Sequence, residues 1–151
     1  MKSDLDNRVN HRIAIVSGLL KRQIHRIIAE KNIEITPDQW VILNYLWEEN
    51  GLSIGELVAK SRKDFGNVTR IVEKLEKLNY VTKERKEDDR RSFLVYYTDK
   101  AKQIKSAVEE CQNRSLEISL KNISSKEQKV LLDILDKIEK NSLDYLNDTN
   151  Q

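Results

Sequence analysis

The chain has 151 residues, of which 34% are charged and 38% hydrophobic, with four glycines and one proline. This composition is typical of a helix-rich globular protein and excludes a long flexible linker or disordered tract. The net charge is only +2, but residues 60–91 hold 11 Lys/Arg and 7 Asp/Glu, whereas the segments on either side are each net −1. A basic surface confined to one segment is typical of a nucleic-acid-binding protein.

The single cysteine and the N-terminal residues indicate the cellular compartment in which the protein is expected. Cys111 is the only cysteine, so an intramolecular disulfide is excluded and a reducing compartment fits. The polar N-terminus lacks the apolar core of a signal peptide, and no stretch approaches the roughly 18 apolar residues of a membrane span. We therefore expect a cytoplasmic protein. Because Cys111 falls at an apolar helix position, a buried core residue is favoured over a redox sensor.

Three helices are predicted in the first 61 residues. Apolar side chains recur every three or four positions from about residue 6 to residue 30, which predicts one long helix. Its apolar face is too wide for a single neighbour to cover. Thr36 with Gln39 forms a capping box that predicts the start of a second helix, and Ser53 with Glu56 repeats the pattern for a short third helix.

A fourth helix is predicted after a tight turn at residues 61–63. Asp64 is its expected cap, and Asn79 suits the left-handed conformation that ends a helix. The buried stripe consists of Val68, Ile71, Val72, Leu75 and Leu78. A short helix, a tight turn and a second helix in this order are the layout of a helix-turn-helix.

Two antiparallel strands are predicted after the fourth helix. Residues 80–82 and 92–98 are rich in β-branched and aromatic side chains, and Leu52 is a candidate for a third, very short strand. The charged run from Lys83 to Arg91 connects the two strands as a loop that projects into solvent. A purely solvated loop is the alternative to a DNA-contacting wing. The wing residues predicted to contact DNA are Lys83, Arg85, Lys86, Asp89, Arg90 and Arg91.

Two long helices are expected after Thr98. The first carries a coiled-coil-like seam of Ala101, Ile104, Val108, Cys111, Ser115 and Ile118. Residues 125–128 are predicted to cap the last helix, whose apolar stripe runs from Val130 to Tyr145. The predicted fold is mainly α with a small antiparallel β-hairpin: a winged helix-turn-helix at residues 36–98, flanked by dimerisation helices at residues 1–35 and 99–151.

The fourth helix carries the predicted base contacts. In a winged helix-turn-helix it enters the major groove with its N-terminal end first. We expect Phe65, Gly66 and Asn67 to face the base edges, with Asn67 pairing with an adenine and Phe65 touching a thymine methyl. The alternatives are that Phe65 and Asn67 are ordinary surface residues, or that Phe65 packs on the wing. The side chains predicted to contact phosphates are those of Thr69, Arg70 and Lys74.

A set of residues between Thr36 and Thr98 forms a recognisable pattern: Thr36, Gln39, Glu56, Leu57, Val68, Thr69, Arg70, Leu75, Glu76, Leu78, Asp89, Arg90, Arg91 and residues 94–98. In these residues the chain resembles the MarR family of bacterial transcriptional regulators. The resemblance implies that Arg91 enters the minor groove and that Asp89 holds it by an ion pair. It also implies a homodimeric repressor on a pseudo-palindromic operator, released by a small aromatic or phenolic effector. Asn79 and Ala101 stand where the family often has glycine.

Two other classes of function, a protein-binding module and an enzyme, fit the sequence less well than DNA binding. A winged-helix module that binds a protein would lose basic residues on the groove-facing helix and wing, whereas Arg70, Lys74 and Arg91 are present. An enzyme is disfavoured, because the sequence has no glycine-rich phosphate loop, metal-ligand cluster or nucleophile–base pair. His11 and His25 lack neighbours at metal-ligand spacing. We therefore predict no cofactor, no metal and no catalytic residue, and no motif marks the effector pocket.

Overall fold

The computed structural model describes residues 1–89 and 91–148, which divide into a first unit, Met1–Leu116, and a second unit, Glu117–Gln151. The described residues form six α-helices and one three-stranded antiparallel sheet, as the sequence predicts for a winged helix-turn-helix. In chain order the elements are a 3₁₀ turn at Asp4–Asn7, α1 at Val9–Glu30, α2 at Pro37–Glu48, β1 at Leu52–Ser53, α3 at Ile54–Ser61, α4 at Phe65–Lys77, β2 at Val81–Arg85, β3 at Phe93–Tyr97, α5 at Asp99–Ser119 and α6 at Ser125–Leu146.

The predicted caps of α2, α3 and α4 are confirmed. The hydroxyl of Thr36 accepts from the Gln39 amide, and the Gln39 side chain accepts in return from the Thr36 amide. Ser53 and Glu56 make the same reciprocal pair at the start of α3. The Asp64 carboxylate caps α4. These side chains satisfy backbone N–H groups that have no partner within the helix.

Two helix starts differ from the sequence prediction. Ser3 caps a separate 3₁₀ turn and Arg8 is extended, with φ −93° and ψ 125°, so α1 begins at Val9 rather than near residue 6. The cap of α6 is Ser124 instead of Ser125, because Glu127 lies three residues beyond Ser124 and completes a capping box with it. Ser125 is the first residue of the helix.

The hydrophobic core of the first unit joins the C-terminal part of α1 to α2, α3, α4, the sheet and α5. Leu43 of α2, Leu57 of α3 and Val72 of α4 are fully buried in it. The predicted stripe of α4 is confirmed, with Leu78 only partly buried. Cys111 lies in the same core with 1% exposure, which confirms the expected buried residue.

The sheet has the strand order β1–β3–β2, with both pairs antiparallel. Leu52 pairs with Val95, which confirms the third short strand. β2 continues to Arg85, three residues beyond its predicted end, so part of the charged run is strand rather than loop. An edge strand accepts charged residues, because one side of it and the outward-facing side chains meet solvent.

Two turns of positive φ frame the helix-turn-helix. Asn79 has φ 63°, the left-handed conformation predicted for the end of α4. Gly51 has φ 80° before β1, and a Cβ there would lie 2.7 Å from the Tyr96 ring. A glycine is therefore required at position 51 by both conformation and space. No helix among residues 1–89 and 91–148 is long and apolar enough to cross a membrane.

Candidate nucleic-acid interface

The first turn of α4 presents the predicted base-contacting residues together. Phe65 is 64% exposed, Gly66 is exposed and Asn67 is half-buried. Val68 and Ile71 anchor the opposite face of the helix in the core. The backbone amide of Asn67, not its side chain, donates to the Asp64 cap at 2.7 Å. Base contact by these residues stays a prediction.

The Arg70 side chain places a positive charge beside the first turn of α4. A Cβ built on Gly66 would lie 3.7 Å from Nη1 of Arg70 and 3.6 Å from Oδ1 of Asp64. The Arg70 guanidinium therefore lies beside Gly66, one turn towards the N-terminus from its own backbone. A guanidinium at the positive end of the helix dipole adds to the attraction for a phosphate oxygen.

Thr69 and Lys74 differ in their availability for phosphate contacts. The Thr69 hydroxyl donates to the carbonyl of Phe65 at 2.9 Å. Because a phosphate oxygen needs a donor, Thr69 must release that bond before it can contact DNA through its hydroxyl. The side chain of Lys74 is exposed on the second turn of the helix.

The Asp89 carboxylate shapes the loop that carries Arg91. Oδ1 accepts from the Arg91 backbone amide at 3.0 Å and Oδ2 accepts from the Ser92 hydroxyl at 2.9 Å. These two bonds, the amide foremost, hold the pKa of Asp89 below its ordinary value. In the described part of the chain Asp89 holds Arg91 by its amide, not by the guanidinium ion pair that the resemblance implies. An aspartate readily reaches an amide two residues on.

Among the other wing cations, the side chains of Lys83 and Arg85 contact groups inside the molecule, whereas the bond of Lys86 comes from its backbone. Lys83 Nζ lies 3.7 Å from Oε1 of Glu76 on α4. The Arg85 guanidinium lies over the Phe93 ring, 5.6 Å from its centroid, and Lys86 donates its backbone amide to the Ser92 carbonyl. Their DNA contacts stay predictions, and the prediction for Arg90 falls outside the described residues.

One further set of charges has no signal in the amino-acid sequence. Asp38 of α2 binds Lys21 of α1 and Lys63 of the turn before α4. The three residues are separated by 17 and 25 positions along the chain. No local pattern links side chains at such separations, so only the folded chain shows that they meet.

The first turn of α4 and the wing offer exposed cations, the side-chain amide of Asn67 and the exposed Phe65 ring. In residues 1–89 and 91–148, no group of three His, Cys, Asp or Glu side chains could hold a metal ion. Residues 35–93, which span α2 to the start of β3, match the model of the MarR family.

Over this segment the chain is similar to the MarR family of transcriptional regulators. Among its relatives, the HTH-type transcriptional regulator MgrA of Staphylococcus aureus is 26% identical over 121 residues, which cover 78% of this chain and 81% of MgrA. A MarR protein from Peptoclostridium difficile has a structure similar to that of this chain, with a TM-score of 0.82 and 26% identity over 94% of this chain and 92% of that one.

Two further solved structures share the fold of this chain. The PcaV regulator of Streptomyces coelicolor, solved with its natural ligand, has a TM-score of 0.83 and 21% identity over 93% of this chain and 97% of PcaV. Reduced AbfR, solved bound to DNA, has a TM-score of 0.77 and 24% identity over 92% of this chain and 94% of AbfR.

Proposed function

We propose that this chain is a cytoplasmic, homodimeric repressor of the MarR family that binds a pseudo-palindromic operator and is released by a small-molecule effector. The proposal assigns it no catalytic role. The observation that best supports DNA binding is that α4 buries one face in the core, while its first turn and its cations stay exposed. The wing hairpin, with Arg91 exposed in its loop, packs against that helix through β2.

The charge distribution supports a polyanionic partner. The segment from residue 60 to residue 91 is net +4, with its cations on the end of α3, the following turn, α4 and the wing. Each phosphate neutralised by such a cation releases condensed counterions, so affinity should depend steeply on salt. The DNA-bound structure of AbfR, which has the same fold, agrees with a DNA-binding role for this architecture.

The exposed apolar faces support a dimer. On α1, Val9, Val16 and Leu19 are exposed, although the C-terminal part of the same helix is core. Within α6, all of which the structure describes, no residue is buried. Its exposed apolar residues are Val130, Leu131, Leu132, Ile134, Leu135, Leu143, Tyr145 and Leu146. An amphipathic helix gains most of its stability from packing its apolar stripe, and a second copy of the chain would supply the packing surface.

An effector is supported by the ligand-bound PcaV structure, which shares the fold. A ligand can release DNA only if it binds the DNA-incompetent conformation more tightly than the DNA-bound one. The chemistry proposed for it, a small aromatic or phenolic compound, comes from the family resemblance. Residues for its pocket are not assigned.

Titration of a duplex DNA with the intact protein at several salt concentrations tests the proposal. Affinity should fall by about two orders of magnitude or more between about 50 mM and about 200 mM salt. Arg91→Ala should weaken binding by about 1–3 kcal/mol if the side chain enters the minor groove. The matched control is Lys140→Ala, because Lys140 is an exposed cation of α6 paired with Asp144. Absence of any complex at low salt would contradict the proposed function.

A further inference from the structure

The carboxylate of Asp38 joins three parts of the first unit. Its Oδ2 accepts from Lys21 Nζ of α1 at 3.0 Å, and its Oδ1 accepts from Lys63 Nζ at 2.9 Å. Asp38 itself lies in the first turn of α2. One side chain therefore links α1, α2 and the turn that precedes the recognition helix α4. We call Lys21, Asp38 and Lys63 the Asp38 bridge.

The Asp38 bridge is partly shielded from water. The side chains of Lys63, Asp38 and Lys21 are 22%, 32% and 53% exposed, respectively. Burial alone would raise the pKa of Asp38, but the hydrogen bonds from Lys63 and Lys21 outweigh it and hold the pKa below its ordinary value. The carboxylate is therefore ionised at neutral pH, and both of its oxygens are occupied by ammonium groups from other elements.

Lys63 places the bridge at the N-terminal end of the recognition helix. It directly precedes Asp64, which caps α4, and Phe65 follows as the first helical residue. The backbone amide of Lys63 also donates to the Ser61 hydroxyl at 3.3 Å. A displacement of Lys63 therefore moves the cap and the first turn of α4, where the base contacts are predicted.

The opposite end of α4 is held by the start of α5. Lys100 Nζ donates to the carbonyl of Leu78 at 2.6 Å and lies over the Tyr80 ring, 4.5 Å from its centroid. The Thr98 hydroxyl donates to the carbonyl of Asn79 at 2.7 Å. A cation at the C-terminus of a helix satisfies its last carbonyls and its dipole. With this end fixed, the bridge and the core contacts of Val68 together restrain the N-terminal end of α4.

We propose that Asp38 is a positioning residue for DNA binding, which fixes the N-terminal end of α4 relative to α1 by holding Lys63 and Lys21 together. The inference rests on the proposed function, since α1 is a helix that a second copy is proposed to cover. Fixing α4 to α1 then sets the separation of the two recognition helices in the dimer. The Asp38 bridge therefore determines how strongly the affinity for DNA depends on the spacing between the two half-sites of the operator. That spacing is about one helical turn of DNA.

Asp38→Asn is the direct test, because the amide keeps the shape of the side chain and removes its charge. The probe is a duplex selected by the wild-type protein from random DNA, together with duplexes whose half-sites are one base pair closer and one base pair farther apart. We expect Asp38→Asn to lose about threefold in affinity for the selected duplex, in keeping with partly exposed ion pairs. Its preference for the selected spacing over the shifted ones should shrink.

Two further variants separate positioning from a general loss of stability. Lys21→Met removes only the link to α1 and should reproduce the loss of spacing preference. The double variant Lys21→Met/Asp38→Asn should lose no more than Asp38→Asn alone, because members of one network are not additive. Asp144→Asn, which removes an exposed carboxylate paired within α6, should leave the spacing preference unchanged.

The outcomes distinguish this inference from the proposed function. Wild-type protein that binds no duplex overturns both. Wild-type protein that binds with a spacing preference, alongside an Asp38→Asn variant with the same affinity and preference, overturns the positioning role alone. An equal loss at every spacing also overturns it, because a merely structural residue lowers all affinities together. Should Asp38→Asn fail to fold, Lys21→Met decides the question by the same readout.

Discussion

Lys83 of β2 forms an ion pair with Glu76 of α4, with Nζ 3.7 Å from Oε1. The pair joins the wing to the recognition helix on the surface that we propose to meet DNA. The Glu76 side chain is 45% exposed and that of Lys83 is 25% exposed. A carboxylate at this position repels phosphate and occupies an ammonium group that could otherwise bind it.

Removing this carboxylate should strengthen DNA binding. We expect Glu76→Gln to raise the affinity for duplex DNA about twofold to fivefold at low salt, because one negative charge is lost and Lys83 is freed. A binding titration by fluorescence anisotropy measures the change. Glu109→Gln is the control, since Glu109 is an exposed carboxylate paired with Lys105 on α5. Weaker binding by Glu76→Gln would show that the pair assists the interface instead.

Substitutions in the first turn of α4 should change sequence preference more than stability. Phe65 is largely exposed and the Asn67 side chain takes no part in the cap. Asn67→Ala should lower discrimination at one base pair by about 1–3 kcal/mol. Binding to a set of single-base variants of a selected duplex measures this. Lys74→Ala should weaken binding to every variant alike, and a uniform loss with Asn67→Ala would remove Asn67 from base contact.

The thiol of Cys111 should be unreactive in the folded protein. It is 1% exposed, its Sγ lies 3.9 Å from the Ile27 carbonyl, and burial is the main cause of its raised pKa. A raised pKa leaves less thiolate at neutral pH, and the thiolate is the reactive form. Mass spectrometry should show alkylation by iodoacetamide at least about tenfold slower in folded than in urea-unfolded protein. Equal rates would contradict the buried position.

Charges placed on the exposed apolar faces should prevent dimer formation. Leu20→Glu on α1 and Leu131→Glu on α6 each put a carboxylate on a face that we propose a second copy to cover. Both variants should sediment as monomers and lose DNA binding, because burial of an unpaired charge is strongly unfavourable. Phe65→Glu also changes an exposed apolar residue, but it should lose DNA binding while remaining a dimer. Dimers of both Leu variants would place the interface elsewhere.

Features governed by nearby residues could be predicted from the sequence. The Thr36–Gln39 and Ser53–Glu56 capping boxes and the Asp64 cap depend on groups three residues apart. Asn79 ends α4 in the left-handed region because of its own backbone preference. The buried stripe of α4 follows from helical periodicity alone.

Features that depend on partners distant in the chain could not be predicted from the sequence. β2 continues to Arg85 because β3 supplies hydrogen-bonding partners across the hairpin, which outweighs the low strand preference of charged residues. The sequence prediction places the cap of α6 at Ser125, one residue too late. Ser124 and Ser125 each precede an acidic or amide side chain, Glu127 or Gln128, by three residues. The Asp38 bridge unites three elements, and its members become neighbours only when α1, α2 and the turn before α4 pack together.

Selection of bound fragments from random duplex DNA, followed by sequencing, tests most directly that α4 and the wing read duplex DNA twice through a symmetric dimer. We predict enrichment of an inverted repeat with half-site centres about 10 bp apart, bound by two copies of the chain. No enriched sequence and no retarded complex at low salt, or an enriched single half-site bound by one copy, would contradict this account.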